Sequence, residues 1–309
     1  MKKVLTVAFA FLILANIGFA QAKKPAAPKT APITVIVMED SQFGGRDQAL
    51  DMGLERFFGV PLEITTITRA EALGNEKFAG LNLDFMPLYL VHRNALTDEK
   101  LGEPVKMGQL KANKDFIILE KQTRHGVFAG NARKPNTLEV FVMSQCPYGA
   151  MAENKIIEAQ KLGRIPKDIK VDVRYIVSMM PDGSFRSLHG SPEWEENVRQ
   201  LIIKDKYPNK FWKYLEIRNR DYQSSLWDVA AEEAGINPAI FRKQWKRGLE
   251  LLKKEAEYSS KVGISGSPTF LWEGRVLTDM GGLAVIPGLA GIVQSEGGRP
   301  APSAPAGQC

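Results

Sequence analysis

The sequence predicts an α/β protein with two domains behind an N-terminal export signal. Apolar residues follow a strand, helix and strand pattern over residues 33–67, and a sharper pattern of the same kind covers residues 138–176. The second pattern continues into a long helical block and then a β-hairpin. About 289 residues follow the signal, which is more than one hydrophobic core usually holds, so we expect two domains.

The export signal occupies residues 1–20. Two lysines after Met1 precede an apolar run over residues 4–17, and the small residues Gly18 and Ala20 follow it. We expect cleavage after Ala20 and a periplasmic or secreted mature protein. An uncleaved anchor is the alternative, because residues 4–20 are 17 residues long and a membrane-spanning helix needs about 17 to 25. We predict no other membrane attachment, because the next longest apolar stretch, residues 281–293, is too short to cross.

Charge and cysteine content narrow the function classes. Cleavage reduces the 41 Lys and Arg residues to 39 against 35 Asp and Glu, a net charge of +4 that is too small and dispersed to indicate nucleic-acid binding. Cys146 and Cys309 are the two cysteines of the chain, which excludes a scaffold held by several disulfides. In an oxidising compartment unpaired thiols tend to pair or react, so both are redox candidates.

The first domain is predicted over residues 33–131, after a flexible Pro-, Ala- and Lys-rich linker at residues 21–32. An apolar stretch at residues 85–91 contains Met86-Pro87. The pattern predicts a degenerate version of the second domain without cysteines. Its predicted elements are strands at 33–38, 62–67 and 116–119 and a helix at 46–58.

The second domain is predicted over residues 137–295, and a Gly-, Pro- and Ala-rich tail at 296–309 is expected to be flexible. A final helix over residues 282–293 is interrupted by Pro287. The other predicted elements are strands at 138–143, 169–176, 269–272 and 275–278 and helices at 150–162, 193–204, 210–217, 225–234 and 239–262.

The clearest motif is Cys146-Pro147-Tyr148-Gly149, which lies between a predicted strand and a predicted helix. The first turn of a helix offers unpaired N–H groups and the positive end of the helix dipole, and both favour a thiolate over a thiol. Proline suits the first helical position because its missing N–H would have no partner there. Cys146 is therefore a candidate nucleophile, and Tyr148 either shapes the approach to it or packs.

This corner resembles the active site of the thioredoxin superfamily, in which Cys-Pro-Tyr-Cys is a familiar form and Gly149 stands at the position of the second cysteine. Ser267-Pro268, directly before a predicted strand, resembles the cis-proline loop that faces the active-site cysteine and the substrate in that superfamily. The resemblance implies a thioredoxin-like fold with a helical insertion, preceded by a degenerate thioredoxin-like domain.

A third segment, residues 187–197, is similar to the signature of the gamma-interferon-inducible lysosomal thiol reductase family. His189, Gly190, Glu193 and Asn197 match that signature. Its three cysteine positions carry Ser187, Trp194 and Ile202, so the structural disulfides of that family cannot form. His189 is expected either to tune Cys146 or to serve as a loop or capping residue.

The predicted function is thiol-disulfide exchange through Cys146, with cysteine-containing proteins or small thiols as partners and an unknown redox partner. Without a thiol at Gly149, the open chemistries are isomerisation, exchange resolved by an external thiol, and oxidation to a sulfenic acid. Cys309 is a possible resolving thiol, an intermolecular bridge or a dispensable residue. The first role requires that the last helix ends on the side of Cys146, since a random-coil tail of about 15 residues spans roughly 20 Å.

Two alternatives stay open at this point. Cys146 can be a buried, inert cysteine, and the protein can be a non-catalytic chaperone or interaction module. We predict no cofactor and no metal, because His92 and His125 have no partner motif. The first domain is a candidate for homodimer formation or for a larger binding surface. The aromatic residues of the helical block are interpreted as core-facing.

Overall fold

The computed structural model describes residues 31–295. The chain divides into two compact units, with the boundary between Asn131 and Ala132. The export signal, most of the linker and the tail with Cys309 lie outside the described residues. Within residues 31–295, no helix is long and apolar enough to cross a membrane.

The first unit contains a five-stranded sheet. Its order is β2-β1-β4-β6-β5, with β1 parallel to β2 and antiparallel to β4. Strands β3 and β7 form a further antiparallel pair. The elements are β1 (Ile33–Glu39), α1 (Gln48–Phe58), β2 (Leu62–Thr68), α2 (Arg69–Leu73), β3 (Phe85–Met86), β4 (Leu88–His92), α3 (Ala95–Lys106), β5 (Lys111–Ala112), β6 (Phe116–Leu119) and β7 (Gly126–Phe128).

Alternation along the strands gives this sheet two covered faces. Val35 and Val37 of β1 lie in one apolar cluster with Tyr89 of β4 and Phe58 of α1. Met38 of β1 belongs to a second cluster on the other side. Because successive side chains of a strand point to opposite faces, β1 and β4 supply both clusters.

Helix α3 was not predicted from the sequence. Gly102 and Pro104 weaken the helical pattern of this segment, and proline also removes one intrahelical hydrogen bond. The structure compensates at the start of the helix. Asn94 accepts a hydrogen bond from Thr97 N, and Asn94 N donates to the Thr97 hydroxyl, so two N–H groups of the first turn are satisfied.

The second unit has a sheet in the order β13-β12-β8-β9. Strands β8 and β9 are parallel, and β12 is antiparallel to β8 and to β13. The elements are β8 (Thr137–Val142), α4 (Pro147–Lys161), β9 (Lys170–Tyr175), β10 (Ser178–Met179), β11 (Phe185–Arg186), α5 (Ser191–Lys206), α6 (Phe211–Arg218), α7 (Trp227–Glu233), α8 (Ala239–Val262), β12 (Thr269–Trp272), β13 (Val276–Thr278) and α9 (Ala290–Val293).

This topology confirms the predicted fold class. Strand β8, helix α4 and strand β9 are followed by the helical insertion α5 to α8, the hairpin β12-β13 and α9, which is a thioredoxin-like fold with a helical insertion. The strands β2-β1-β4-β6 of the first unit repeat the arrangement β9-β8-β12-β13. A cis peptide bond directly precedes the matching strands β4 and β12, at Met86-Pro87 and at Ser267-Pro268.

Helices α5 and α8 of the insertion approach each other closely at Gly248. A Cβ atom at Gly248 would lie 2.6 Å from Val198 Cγ1 and 2.9 Å from Ile202 Cδ1, both on α5. Any larger residue would therefore push the two helices apart. The helix predicted at residues 282–293 is interrupted as expected, since a short 3-10 turn at Gly281–Val285 precedes α9 and Gly288 has a φ of 82°.

Candidate functional site

Cys146 is the N-cap residue of α4, directly after the loop that follows β8. Its Sγ accepts a hydrogen bond from Gly149 N at 3.4 Å, and Pro147 occupies the first helical position. The sulfur therefore lies among the unpaired N–H groups and at the positive end of the helix dipole. The helix predicted from residue 150 begins three residues earlier than expected, at Pro147.

Cys146 is completely buried. It is also disulfide-bonded in this structure, so its chemistry as a nucleophile belongs to the reduced protein. Tyr148, in the first turn of α4, is half-buried. Cys309 lies outside the described residues.

Ser267 and Pro268 are placed beside Cys146, and their peptide bond is cis. Cys146 Sγ lies 3.6 Å from the carbonyl oxygen of Ser267. The hydroxyl of Ser267 accepts a hydrogen bond from Met143 N at 3.0 Å, which ties this loop to the end of β8. The structure thus brings together two sequence-predicted segments that are more than 100 residues apart.

The Ser267 hydroxyl also occupies the space next to Gly149. A Cβ atom at Gly149 would lie 2.8 Å from Ser267 Oγ and 3.1 Å from the carbonyl oxygen of Met143. A second cysteine at this position would therefore displace Ser267 or the backbone of the loop. Gly149 is consequently part of the packing of this corner.

Glu193, in the first turn of α5, contacts the segment that leads to Cys146. Its Oε2 accepts a hydrogen bond from Gln145 N at 3.3 Å, and its carbonyl oxygen accepts one from the Ser144 hydroxyl at 3.1 Å. The same Oε2 lies 2.5 Å from His189 Nδ1. His189 thus reaches the Cys146 loop through Glu193, a connection that sequence reasoning missed because it joins two distant segments.

A buried polar network lies where α4 meets the helical insertion. Glu153 of α4 accepts a hydrogen bond from Asn219 Nδ2 at 2.8 Å. On α5, Glu196 accepts hydrogen bonds from Tyr214 and Gln200 and pairs with Arg218. Burial raises the pKa of Glu153 to about 7, and the negative charge of Glu196 acts in the same direction.

The aromatic residues of the helical block only partly follow the sequence interpretation. Phe211 and Phe241 are buried, as predicted, but Trp194, Trp227 and Trp245 are half-exposed. Their rings form a row in which Trp194 faces Trp245 at 6.4 Å and Arg199 lies over Trp227 at 4.5 Å. The three tryptophans therefore lie at the edge of the core.

Across residues 31–295, the structure contains no group of three His, Cys, Asp or Glu side chains that could hold a metal ion. His92 packs its ring edge-on against Phe116 in the first unit, with the ring centroids 5.7 Å apart. His125 lies in the loop before β7, where its carbonyl oxygen accepts a hydrogen bond from the Thr123 hydroxyl.

No family model and no curated protein matches this sequence. Several solved structures match about half of the chain, with low sequence identity and low TM-scores. ScsC of Proteus mirabilis, in a transitional conformation, has 17% identity and a TM-score of 0.36, and the alignment covers 51% of this chain and 66% of ScsC. A periplasmic thioredoxin-like protein from Salmonella enterica serovar Typhimurium has 17% identity, a TM-score of 0.36 and coverages of 53% and 86%. DsbA of Pseudomonas aeruginosa has 11% identity, a TM-score of 0.39 and coverages of 55% and 87%.

Three kinds of neighbouring group thus surround the sulfur that Cys146 itself supplies. N–H groups of α4 face the sulfur, the Ser267 carbonyl lies opposite, and the pair of Glu193 and His189 lies behind the preceding loop. This arrangement suits a nucleophile that forms one covalent adduct at a time. It provides no second sulfur within the motif itself.

Proposed function

We propose that this chain is an exported thiol-disulfide exchange protein whose single nucleophile is Cys146. The placement of Cys146 at the start of α4, with Sγ 3.6 Å from the Ser267 carbonyl in the cis-proline loop, is the observation that carries the proposal. The helix terminus favours the thiolate. Ser267 and Pro268 are proposed to present backbone to an extended substrate chain.

The proposed reaction begins with attack by the reduced Cys146 thiolate on one sulfur of a disulfide. A new bond forms between Cys146 and that sulfur, the original sulfur-sulfur bond breaks, and the second substrate sulfur leaves as a thiolate that takes up a proton. The substrates are cysteine-containing proteins or small-molecule disulfides. No cofactor is needed, because the electrons stay within the sulfur atoms.

Release of the adduct needs another thiol, because Gly149 supplies none. A thiol of the substrate would complete an isomerisation, and a small external thiol would complete a reduction. Cys309 is a third source. Lys155 Nζ donates to the carbonyl oxygen of Ser295, so Ser295 lies beside α4. Lys155 is nine positions after Cys146, which is about 13 Å along the helix axis. Fourteen residues follow Ser295, and an extended chain of that length can span at most about 46 Å, so Cys309 is proposed to reach Cys146.

The experiment that tests this function measures recovery of a scrambled, disulfide-rich test protein in a glutathione buffer. We expect wild type to accelerate recovery and Cys146→Ser to lose at least about nine-tenths of that acceleration, because no sulfur remains to form the adduct. Cys309→Ser is the matched control. It keeps the nucleophile and slows recovery only if Cys309 resolves the adduct.

Complete burial of Cys146 favours one second candidate, a thioredoxin-fold interaction module without turnover. The same assay separates the two. Equal recovery with wild type and with Cys146→Ser would contradict the exchange function and support the interaction module.

A further inference from the structure

Glu193 is a buried carboxylate whose environment requires a positive partner. It has no exposed surface, and among residues 31–295 no lysine or arginine lies within ion-pair distance of it. Burying an ionised carboxylate without a counter-charge is costly. The one basic side chain in contact is the imidazole of His189, which is charged only when protonated, with Nδ1 2.5 Å from Glu193 Oε2.

The same carboxylate also holds the backbone that leads to Cys146. Gln145 N donates to Oε2, and the Ser144 hydroxyl donates to the main-chain oxygen of Glu193. An ionised carboxylate can only accept hydrogen bonds, so with Glu193 ionised the donor of this contact is His189 Nδ1. The neighbouring acids of α5 are engaged elsewhere, since Glu195 and Glu196 both pair with Arg199.

We propose that Glu193 and His189 are a charge-balancing pair for Cys146. Glu193 positions the Cys146 loop through Gln145 N, and His189 neutralises the carboxylate so that no unbalanced negative charge opposes the Cys146 thiolate. The inference rests on the proposed function and adds two positioning residues to it. A purely structural cap of α5 by Glu193 would fix the loop equally well but would leave the reactivity of Cys146 independent of the charge on His189.

The test measures the alkylation rate of reduced Cys146 by iodoacetamide at pH 7, in full-length protein with Cys309→Ser so that one thiol reports. His189→Gln keeps a hydrogen-bond donor beside Glu193 but removes the positive charge. We expect its rate to fall about tenfold, the size of effect that a neighbouring like charge exerts on ionisation. Glu193→Gln keeps an acceptor for Gln145 N and is expected to react at least as fast as the parent.

The double variant gives the sharpest result. With both charges removed, we expect the rate to return to within about twofold of the parent, because the uncompensated carboxylate is gone. His92→Gln in the first unit and Glu195→Gln, at a half-exposed position of α5, are matched controls, and both should leave the rate unchanged. Thermal unfolding of each variant confirms that it is folded.

Three outcomes are distinguishable from the expected one. Equal rates in the parent and all His189 and Glu193 variants overturn the inference alone. A similar loss in both single variants and in the double variant also overturns it and shows that the contacts only hold the loop. A parent whose folded form does not alkylate at any pH overturns the proposed function and this inference with it.

Discussion

Burial changes the ionisation of Glu153, a carboxyl on the same helix as the Cys146 corner. It lies about two turns after Cys146 on α4 and is 2% exposed. Its Oε2 accepts the hydrogen bond from Asn219, whereas Oε1 is buried without a partner in the described part of the chain. Loss of hydration therefore dominates, and the pKa of the carboxyl rises to about 7.

The raised pKa of Glu153 predicts a pH-dependent stability. A carboxyl whose pKa is higher in the folded than in the unfolded protein stabilises the fold below the unfolded pKa, and that stabilisation is lost as the pH rises. Between about pH 4.5 and about pH 7, Glu153 should cost the fold up to about 3 kcal/mol. Glu153→Gln should remove this loss, as measured by urea unfolding at pH 5 and pH 8.

The control for this prediction is Glu232→Gln, an exposed position on α7. Its stability should follow the wild-type pH profile. A Glu153→Gln profile that runs parallel to wild type between pH 5 and pH 8 would show that Glu153 ionises in the folded protein without a penalty.

At the scale of elements, the start of α4 depends on close contact with the loop before β12. Gly149 provides the space that the Ser267 hydroxyl fills, and that hydroxyl is bonded to Met143 N. The absence of a second cysteine is therefore matched by a specific packing arrangement. Glycine fits this arrangement because it has no Cβ atom.

Gly149→Ala should destabilise the second unit. The added Cβ would meet Ser267 Oγ at 2.8 Å and the Met143 carbonyl oxygen at 3.1 Å, and overpacking of this kind costs about 1 to 3 kcal/mol. The helix propensity gained by alanine, at most about 1 kcal/mol, is smaller. Chemical unfolding monitored by tryptophan fluorescence checks the expected loss, because all five tryptophans belong to the second unit.

Gly102→Ala on α3 is the opposite control, because its Cβ would meet no atom within 4 Å. It should stabilise the first unit by about 0.5 to 1 kcal/mol, observed by circular dichroism. An unfolding midpoint for Gly149→Ala equal to or above that of wild type would contradict the packing account.

The elements that the sequence predicted well are those with strong local signals. Helix α8 was predicted with its observed bounds, because Asn237 and Pro238 mark its start and Gly263, in a left-handed conformation, marks its end. Strands β1 and β9 were predicted to within two residues from apolar alternation. The hairpin β10-β11 was missed because its strands are two residues long and carry no such pattern.

At the scale of the whole molecule, the two units share one strand arrangement, and the fold class could be predicted because each unit begins with a clear strand-helix-strand pattern. For the candidate site, Cys146, Ser267 and Pro268 could be named from the sequence because each belongs to a local motif, and the structure places Cys146 beside Ser267. The contact from Glu193 to Gln145 and the contact from Ser267 to Gly149 depend on packing between distant segments, which no local pattern encodes.

The central claim is that reduced Cys146 exchanges with disulfides, and formation of a glutathione adduct tests it most directly. Reduced full-length protein carrying Cys309→Ser is incubated with glutathione disulfide, and adducts are located by intact mass and peptide mapping. We predict one glutathione per chain, on Cys146, and none when Cys146→Ser is added. The claim would be contradicted if the folded protein formed no adduct while the same protein unfolded in urea formed one, because Cys146 would then be a thiol that the fold keeps from reacting.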